Sequence, residues 1–254
     1  GVVRAREFIM KDGYSFHSDR TSFDQTYEKM FTCYSSILTE IDLDFRAVEA
    51  DSGNIGGQKS HEFHVLSDIG EDTIVCTSEG LYAANLEAAV AQKSEPTDLP
   101  LHELTEIATP GVKTIEELCA FLNVPASSTL KTLIVKVSDH GEEPVNKNSF
   151  LALVLRGDHD LNLTKLAKQE EVSGEITLAS EEEVRKILEA PIGFIGPINC
   201  GLKVLIDHEA FVSNNLVCGA NEVDKHMEGF NSERDLSSTD YRVTDIRNVS
   251  PGDN

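Results

Sequence analysis

Apolar positions along the 254-residue chain follow one pattern up to about residue 92 and restart in another beyond it. From Ser22, the positions Phe23, Tyr27, Met30, Phe31, Tyr34, Leu38 and Ile41 recur at helical spacing, which predicts one long amphipathic helix. Residues 1–10 mix β-branched, aromatic and charged positions and predict a strand, with Lys11-Asp12-Gly13 as the turn after it. Residues 45–50, 61–66 and 73–77 predict further strands. A glycine-rich loop over 51–59 separates the first two, and 85–91 reads as a short Ala-rich helix.

Residues 93–100 are polar and carry two prolines, as linkers do. After them Thr114 and Glu117 form a capping-box signature ahead of Ile115, Leu118, Phe121 and Leu122. Residues 130–137 and 150–155 are apolar runs of strand length. Asn162 is placed to cap a helix reaching Gln169, and Ser180 with Glu183 forms a second capping box before a helix that stops short of Pro191. Residues 202–206 and 214–218 predict two more strands. The fold class expected is α+β. The expected organisation is a host domain over 1–92, an inserted α+β domain over 93–236, and a return of 237–254 to the host through a strand at Tyr241, with the host cut at both ends.

Composition narrows the chemistry. There are 44 acidic and 22 basic residues, a net charge of −22, with no long Lys/Arg cluster. A protein that grips nucleic acid by its phosphates carries a basic face, so strong binding by this chain alone is not expected. The five cysteines, Cys33, Cys76, Cys119, Cys200 and Cys218, are odd in number and widely spaced, without a CxxC pair. That argues against a disulfide framework or a cysteine-rich zinc site and fits a reducing cytoplasm. No apolar run approaches the roughly 20 residues of a membrane span, and GVVRAREFIMKDG has no signal-peptide layout. No metal site is expected: His61 and His64 fall on opposite faces of their strand.

Three groups of residues carry a family resemblance. Arg4-Ala-Arg6-Glu7-Phe8 lies within RAREFIMKDGYSFH and runs into the long helix. Ile55-Gly56-Gly57 precedes Ser60-His61-Glu62-Phe63, and Tyr82-Ala-Ala-Asn85 follows. Beyond residue 93 stand Leu130-Lys-Thr-Leu-Ile-Val-Lys136, Arg156-Gly-Asp158-His159-Asp160, Gly193-Phe194-Ile195-Gly196-Pro197, Leu205-Ile-Asp207, and Gly219-Ala-Asn221 followed by His226. Together, in this order, they resemble bacterial-type prolyl-tRNA synthetases of class II, including their YbaK-like editing insertion. From periodicity alone, Lys131 reads as a lysine snorkelling from a strand end, Asp207 as a solvated carboxylate and His226 as a surface histidine.

The resemblance implies more. The host would be a partial class II core built on an antiparallel sheet, with Arg4, Arg6, Glu7, Phe8, Met10 and His61 as remnants of an ATP and proline site. Motif 1, the first strand of motif 2, motif 3 and the anticodon-binding domain have no counterpart, so prolyl-adenylate formation is not expected from this stretch. The longer parent would use ATP and magnesium and would be a homodimer. The insertion would hydrolyse alanine misattached to proline tRNA, without a cofactor. In that reading Lys131, Gly193, Gly196 and Pro197 form the catalytic group, and Phe194, Ile195, Asp207, Gly219 and His226 line the substrate pocket. No Ser/His/Asp triad or HExxH string is present, and the resemblance implies attack by water on the ester carbonyl, assisted by the terminal ribose hydroxyl of the substrate. The alternative reading is a non-catalytic tRNA-docking module.

Overall fold

The computed structural model describes residues 7–49, 60–70, 72–79, 82–96, 100–138, 147–188, 190–236 and 239–253. The chain divides into two compact units, Gly1–Ala83 and Ala84–Asn254.

In the first unit, α1 (Arg20–Glu40) starts where Asp19 accepts a hydrogen bond from the Ser22 N–H, an N-cap that meets one orphan donor of the first turn. β1 (Phe45–Glu49) and β2 (His61–Val65) pair antiparallel, with Phe45 opposite Val65 and Glu49 opposite His61. Strand alternation decides what β2 offers each side. His61 and Phe63 meet α1: the His61 Nδ1 lies 2.8 Å from the Tyr27 hydroxyl, and Phe63 meets the rings of Phe31 and Tyr34. Glu62 and His64 share the other face, 2.7 Å apart. β3 (Ile74–Cys76) follows, and β4 (Ala83–Asn85) starts at the unit's last residue.

Two expectations fail here. Of the strand expected over 1–10, residues 1–6 lie outside the described residues, and Glu7 to Met10 are irregular and exposed. The helix expected over 85–91 is a turn: the N–H groups of Ala88 and Ala89 both return to the Asn85 carbonyl. Alanine content raises helix propensity, but propensity yields when the preceding residues are paired as a strand. The glycine-rich loop at 51–59 lies outside the described residues.

The second unit is built on a five-stranded mixed sheet, ordered β12-β9-β7-β6-β8. Its strands are β6 (Leu130–Ser138), β7 (Phe150–Arg156), β8 (Glu175–Leu178), β9 (Lys203–Asp207) and β12 (Tyr241–Thr244). β7 is central, and Phe150 to Leu155 are buried residue after residue because both faces of the sheet are covered. One face carries Leu130, Ile134, Ala152, Val154, Val204 and Ile206, packed with Ile195, Leu216, Cys218 and Phe230. The other carries Val135, Leu151, Leu153, Leu155 and Leu205, packed with Leu166 and Ile246.

A second sheet, β10-β11-β5, joins β10 (Leu216–Gly219), β11 (Lys225–Phe230) and β5 (Thr105–Ala108). The helices are α2 (Ile115–Leu122), α3 (Leu163–Ala167), α4 (Glu181–Leu188), α5 (His208–Val212) and α6 (Ser232–Asp235). The capping signatures are realised. Thr114 and Glu117 exchange both bonds of a capping box, Asn162 accepts from the Lys165 N–H, and Ser180 and Glu183 bond reciprocally. The strand at Tyr241 does not rejoin the first unit. It lies parallel to β9, with Tyr241 opposite Val204 and Thr244 opposite Asp207, and its alternate residues Tyr241 and Val243 pack on the first core cluster.

Candidate functional site

The 193–197 loop leaves α4 and lies against the end of β10 at backbone distance. A Cβ added to Gly196 would stand 1.8 Å from the Gly219 carbonyl oxygen, and one added to Gly219 would stand 2.3 Å from the Phe194 oxygen. Only glycine at both positions lets the two backbones touch. Asn221 bolts the contact: its Oδ1 accepts from the Gly196 N–H at 2.9 Å, its Nδ2 donates to the Ile198 carbonyl at 2.9 Å, and its own N–H donates to the Phe194 carbonyl at 2.8 Å. Phe194 is fully buried, its ring 5.7 Å from that of His226.

His226 is itself buried, and its Nδ1 lies 2.6 Å from the hydroxyl of Thr109, which is also fully buried. Burial lowers the histidine's pKa, so it is neutral at physiological pH. The loop's amides are not all available. Phe194 donates to the Pro191 carbonyl, Gly196 donates to Asn221, and Pro197 has no N–H. Among the described residues, the amides of Gly193 and Ile195 are the two in this loop without a protein acceptor.

Beside the loop runs a row of side chains across the five-stranded sheet. Lys131 pairs with Leu155, and Val154 with Ile206, so the next step along β7 and β9 sets Leu155 beside Asp207. Lys131 and Asp207 therefore leave the same face from strands two apart, about 10 Å between backbones. β8 covers only Val135 to Ser138 of β6, and a parallel bridge between Thr129 and Val217 lays β10 along the uncovered half. Two residues further in that register, Gly219 comes alongside Lys131. The register thus brings the 193–197 loop, Gly219, Asn221 and His226 to the strand that carries Lys131.

The Lys131 ammonium is partly accessible and lies 3.5 Å from the Asp160 carboxylate, which is 86% exposed. The loop bearing Asp160 is fixed by Arg156, which donates through Nε and Nη2 to Asp158. His159 is buried between them, and burial together with the neighbouring guanidinium of Arg156 lowers its pKa to about 4. Asp207 is 1% exposed rather than solvated. Its Oδ1 accepts from the Glu209 N–H, capping α5, and its Oδ2 accepts from the Ile246 N–H. Burial raises its pKa to about 6, against the lowering effect of those two bonds and of Arg247. Its carboxylate is already engaged inside the protein, which makes it a structural anchor of the row. Lys136, of opposite parity, is bonded to Glu183 at 2.9 Å.

The other expected site residues fall differently. Arg4 and Arg6 lie outside the described residues, and Glu7, Phe8 and Met10 are exposed rather than lining a pocket. His61 is occupied with Tyr27 and the Phe31 ring. Among the described residues, no group of three or more metal-binding side chains gathers. A cavity of about 700 Å³ in the second unit lies where β7 and β9 begin, against Lys147, Leu151, Gly201 and Lys203. It is at the opposite end of the sheet from Lys131 and Asp207. Sequence reasoning did not single out Thr109 or Arg247; neither stands in a motif, and only the strand pairing brings them in.

Residues 109–236 match the family described as aminoacyl-tRNA editing domain, and residues 1–172 match the tRNA synthetase class II core domain (G, H, P, S and T). Over its whole length the chain is 44% identical to a proline–tRNA ligase of Francisella philomiragia and spans 43% of that relative. Among solved structures, it is similar to a proposed trans-editing enzyme for prolyl tRNA synthetase, at 18% identity and a TM-score of 0.48, covering 57% of this chain and 87% of the other. A hypothetical protein gives 22% identity and a TM-score of 0.47, covering 57% and 91%.

Proposed function

We propose a function from one premise: the chain belongs to the class II aminoacyl-tRNA synthetase core family and carries that family's aminoacyl-tRNA editing domain. The second unit hydrolyses the ester of mischarged tRNA, with alanine on proline tRNA as the substrate. The longer protein of which such a chain is part ligates proline to its tRNA with ATP and magnesium. The single observation that carries the editing reading is the meeting of the glycine-built loop with the strand that bears Lys131.

The chemistry follows from what is available there. Water adds to the ester carbonyl, the oxygen becomes an oxyanion, and the bond to the terminal ribose breaks to release alanine and tRNA. In this reading the Gly193 and Ile195 amides, which have no protein acceptor among the described residues, donate to that oxyanion. Lys131 supplies positive charge for the terminal nucleotide's phosphate, with Asp160 holding the ammonium until substrate arrives. Phe194, Ile195, Pro197 and the neutral His226 give an apolar wall that suits a methyl side chain. A protein thiol is a poor alternative to water: Cys200 and Cys218 are buried, and burial pushes both thiols up. An editing step is needed because a proline pocket rejects the smaller alanine by only about 1–3 kcal/mol.

The test is deacylation of alanyl- and prolyl-tRNA(Pro) by the purified chain. Alanine release that fails in K131A supports the reading. Binding of tRNA without any deacylation would instead favour a docking module, a reading motivated by the lack of a strong nucleophile.

A further inference from the structure

The segment after residue 236 lies beyond the stretch that matches the editing family, yet it runs through the charged row. β12 lies beside β9 and carries the chain to Ile246, Arg247 and Asn248. The Ile246 N–H donates to Asp207 Oδ2 at 3.2 Å, and the Asn248 N–H donates to the Asp160 carbonyl at 2.8 Å. The Asn162 N–H returns to the Ile246 carbonyl at 2.8 Å. One short strip therefore touches both Asp207 and Asp160, the ion-pair partner of Lys131.

Arg247 is the side chain at its centre, 4% exposed. Its Nε lies 3.5 Å from Asp207 Oδ1, while its Nη1 donates to Asp253 Oδ2 at 2.6 Å and to the Asn248 carbonyl at 3.0 Å. Lys165 braces the strip from below, donating to the Arg247 carbonyl and to both oxygens of Asp245. A planar guanidinium reaches Asp207 and Asp253 from separate nitrogens, whereas a lysine has only one nitrogen to offer. Such a group is kept out of water only when its donors are met.

We propose that Arg247 is a positioning residue of the editing site, holding Asp207 and the Asp160 loop in register with Lys131. The inference rests on the editing reading above. Asp207 also faces Glu209 and His208 of α5, Asp245 on the strip, and Lys93 and Lys165 across a small cleft of about 60 Å³. Among these, Arg247 is the cation nearest enough to lower the carboxyl's pKa, against burial and Asp245.

The experiment compares the full chain with R247Q, R247K and D253N. For R247Q, kcat for alanyl-tRNA deacylation falls about 10- to 100-fold, the range seen when an outer partner of a site group is lost, with KM nearly unchanged. The acid limb of the rate profile moves to higher pH, because Asp207 has lost a cation. R247K returns the limb toward its original place while kcat stays low. D253N loosens the fold and leaves the limb in place. Deacylation at the original rate in R247Q overturns the proposal, and so does a loss of rate and melting temperature with an unmoved limb. A carbon-13 titration of the Asp207 carboxyl separates this from the editing reading: an equal midpoint in the original chain and R247Q overturns the clamp whether or not either protein deacylates.

Discussion

The 193–197 loop and the Lys131 row meet at the same strand but are made of different material. The loop is uncharged and is shaped by backbone contact between Gly196 and Gly219, with Asn221 as the bolt. The row is charged, and its geometry depends on partners: Asp160 for Lys131, and Ile246 and Arg247 for Asp207. The difference teaches how each half should fail. A shape made by close approach breaks at the first added methyl group. A charged array loses function in steps, as partners are removed one at a time.

The largest expected effect is in the loop. In G196A, a Cβ must displace the Gly219 carbonyl, so deacylation falls by at least about 100-fold, together with about 1–3 kcal/mol of stability. Thermal melting and a deacylation assay check it, and a G196A protein with its original melting temperature breaks the comparison. Next is K131A, where deacylation falls by about 100-fold, the equivalent of one charge-assisted bond of roughly 2–3 kcal/mol, at an unchanged melting temperature. T109V leaves the buried His226 Nδ1 without its 2.6 Å partner and costs about 1–3 kcal/mol in denaturant unfolding.

The remaining predictions concern pH. His159 has a pKa of about 4 in the folded chain and an ordinary value near 6.5 when unfolded, so its contribution is fully present above 6.5 and is lost as pH falls toward 4. H159Q should flatten stability across that window. Glu183 is lowered to about 2, first by its bond from Lys136 and then by Ser180. Its contribution is present above about 4.5 and is lost as pH falls toward 2. E183Q should cost no more than about 1 kcal/mol at neutral pH, since the pair is partly exposed. A larger loss would mean that charge pairs in this unit matter more than the comparison allows.

Much of the fold was legible because its signals are local. The α1 periodicity, both capping boxes and the runs at β6, β7 and β9 are each written within ten to twenty residues. The strands β4, β5, β8 and β11 carry no such local signal. β11 reads Lys-His-Met-Glu-Gly-Phe, with neither alternation nor a continuous apolar run, and its strand character comes from pairing with β5 and β10. The turn at 86–88 was misread because alanine content speaks for a helix only when no neighbour competes. In the candidate site, the loop and Lys131 stood in recognisable strings. Thr109 and Arg247 did not, since Thr109 reaches His226 across 117 positions and Arg247 reaches Asp207 across a parallel strand pairing. The expected return of 237–254 to the first unit failed for the same reason: Tyr241-Arg-Val-Thr reads as a strand, but nothing in it names the partner.

That partner has a consequence for how the chain is made. Of the strands in this sheet, β12 is made after the other four, and until it emerges, β9 presents a row of unpaired backbone groups along one side. Parallel pairing cannot be supplied by a tight hairpin, so the sheet waits for α5, β10, β11 and α6 to pass before it closes. During synthesis at about 5–20 residues per second, that open side persists for seconds, long enough for a chaperone or a neighbouring nascent chain to find it. Slow codons between residues 207 and 241 would lengthen the exposure, and an added charge on the waiting side of β9 would shield it at the expense of the finished sheet.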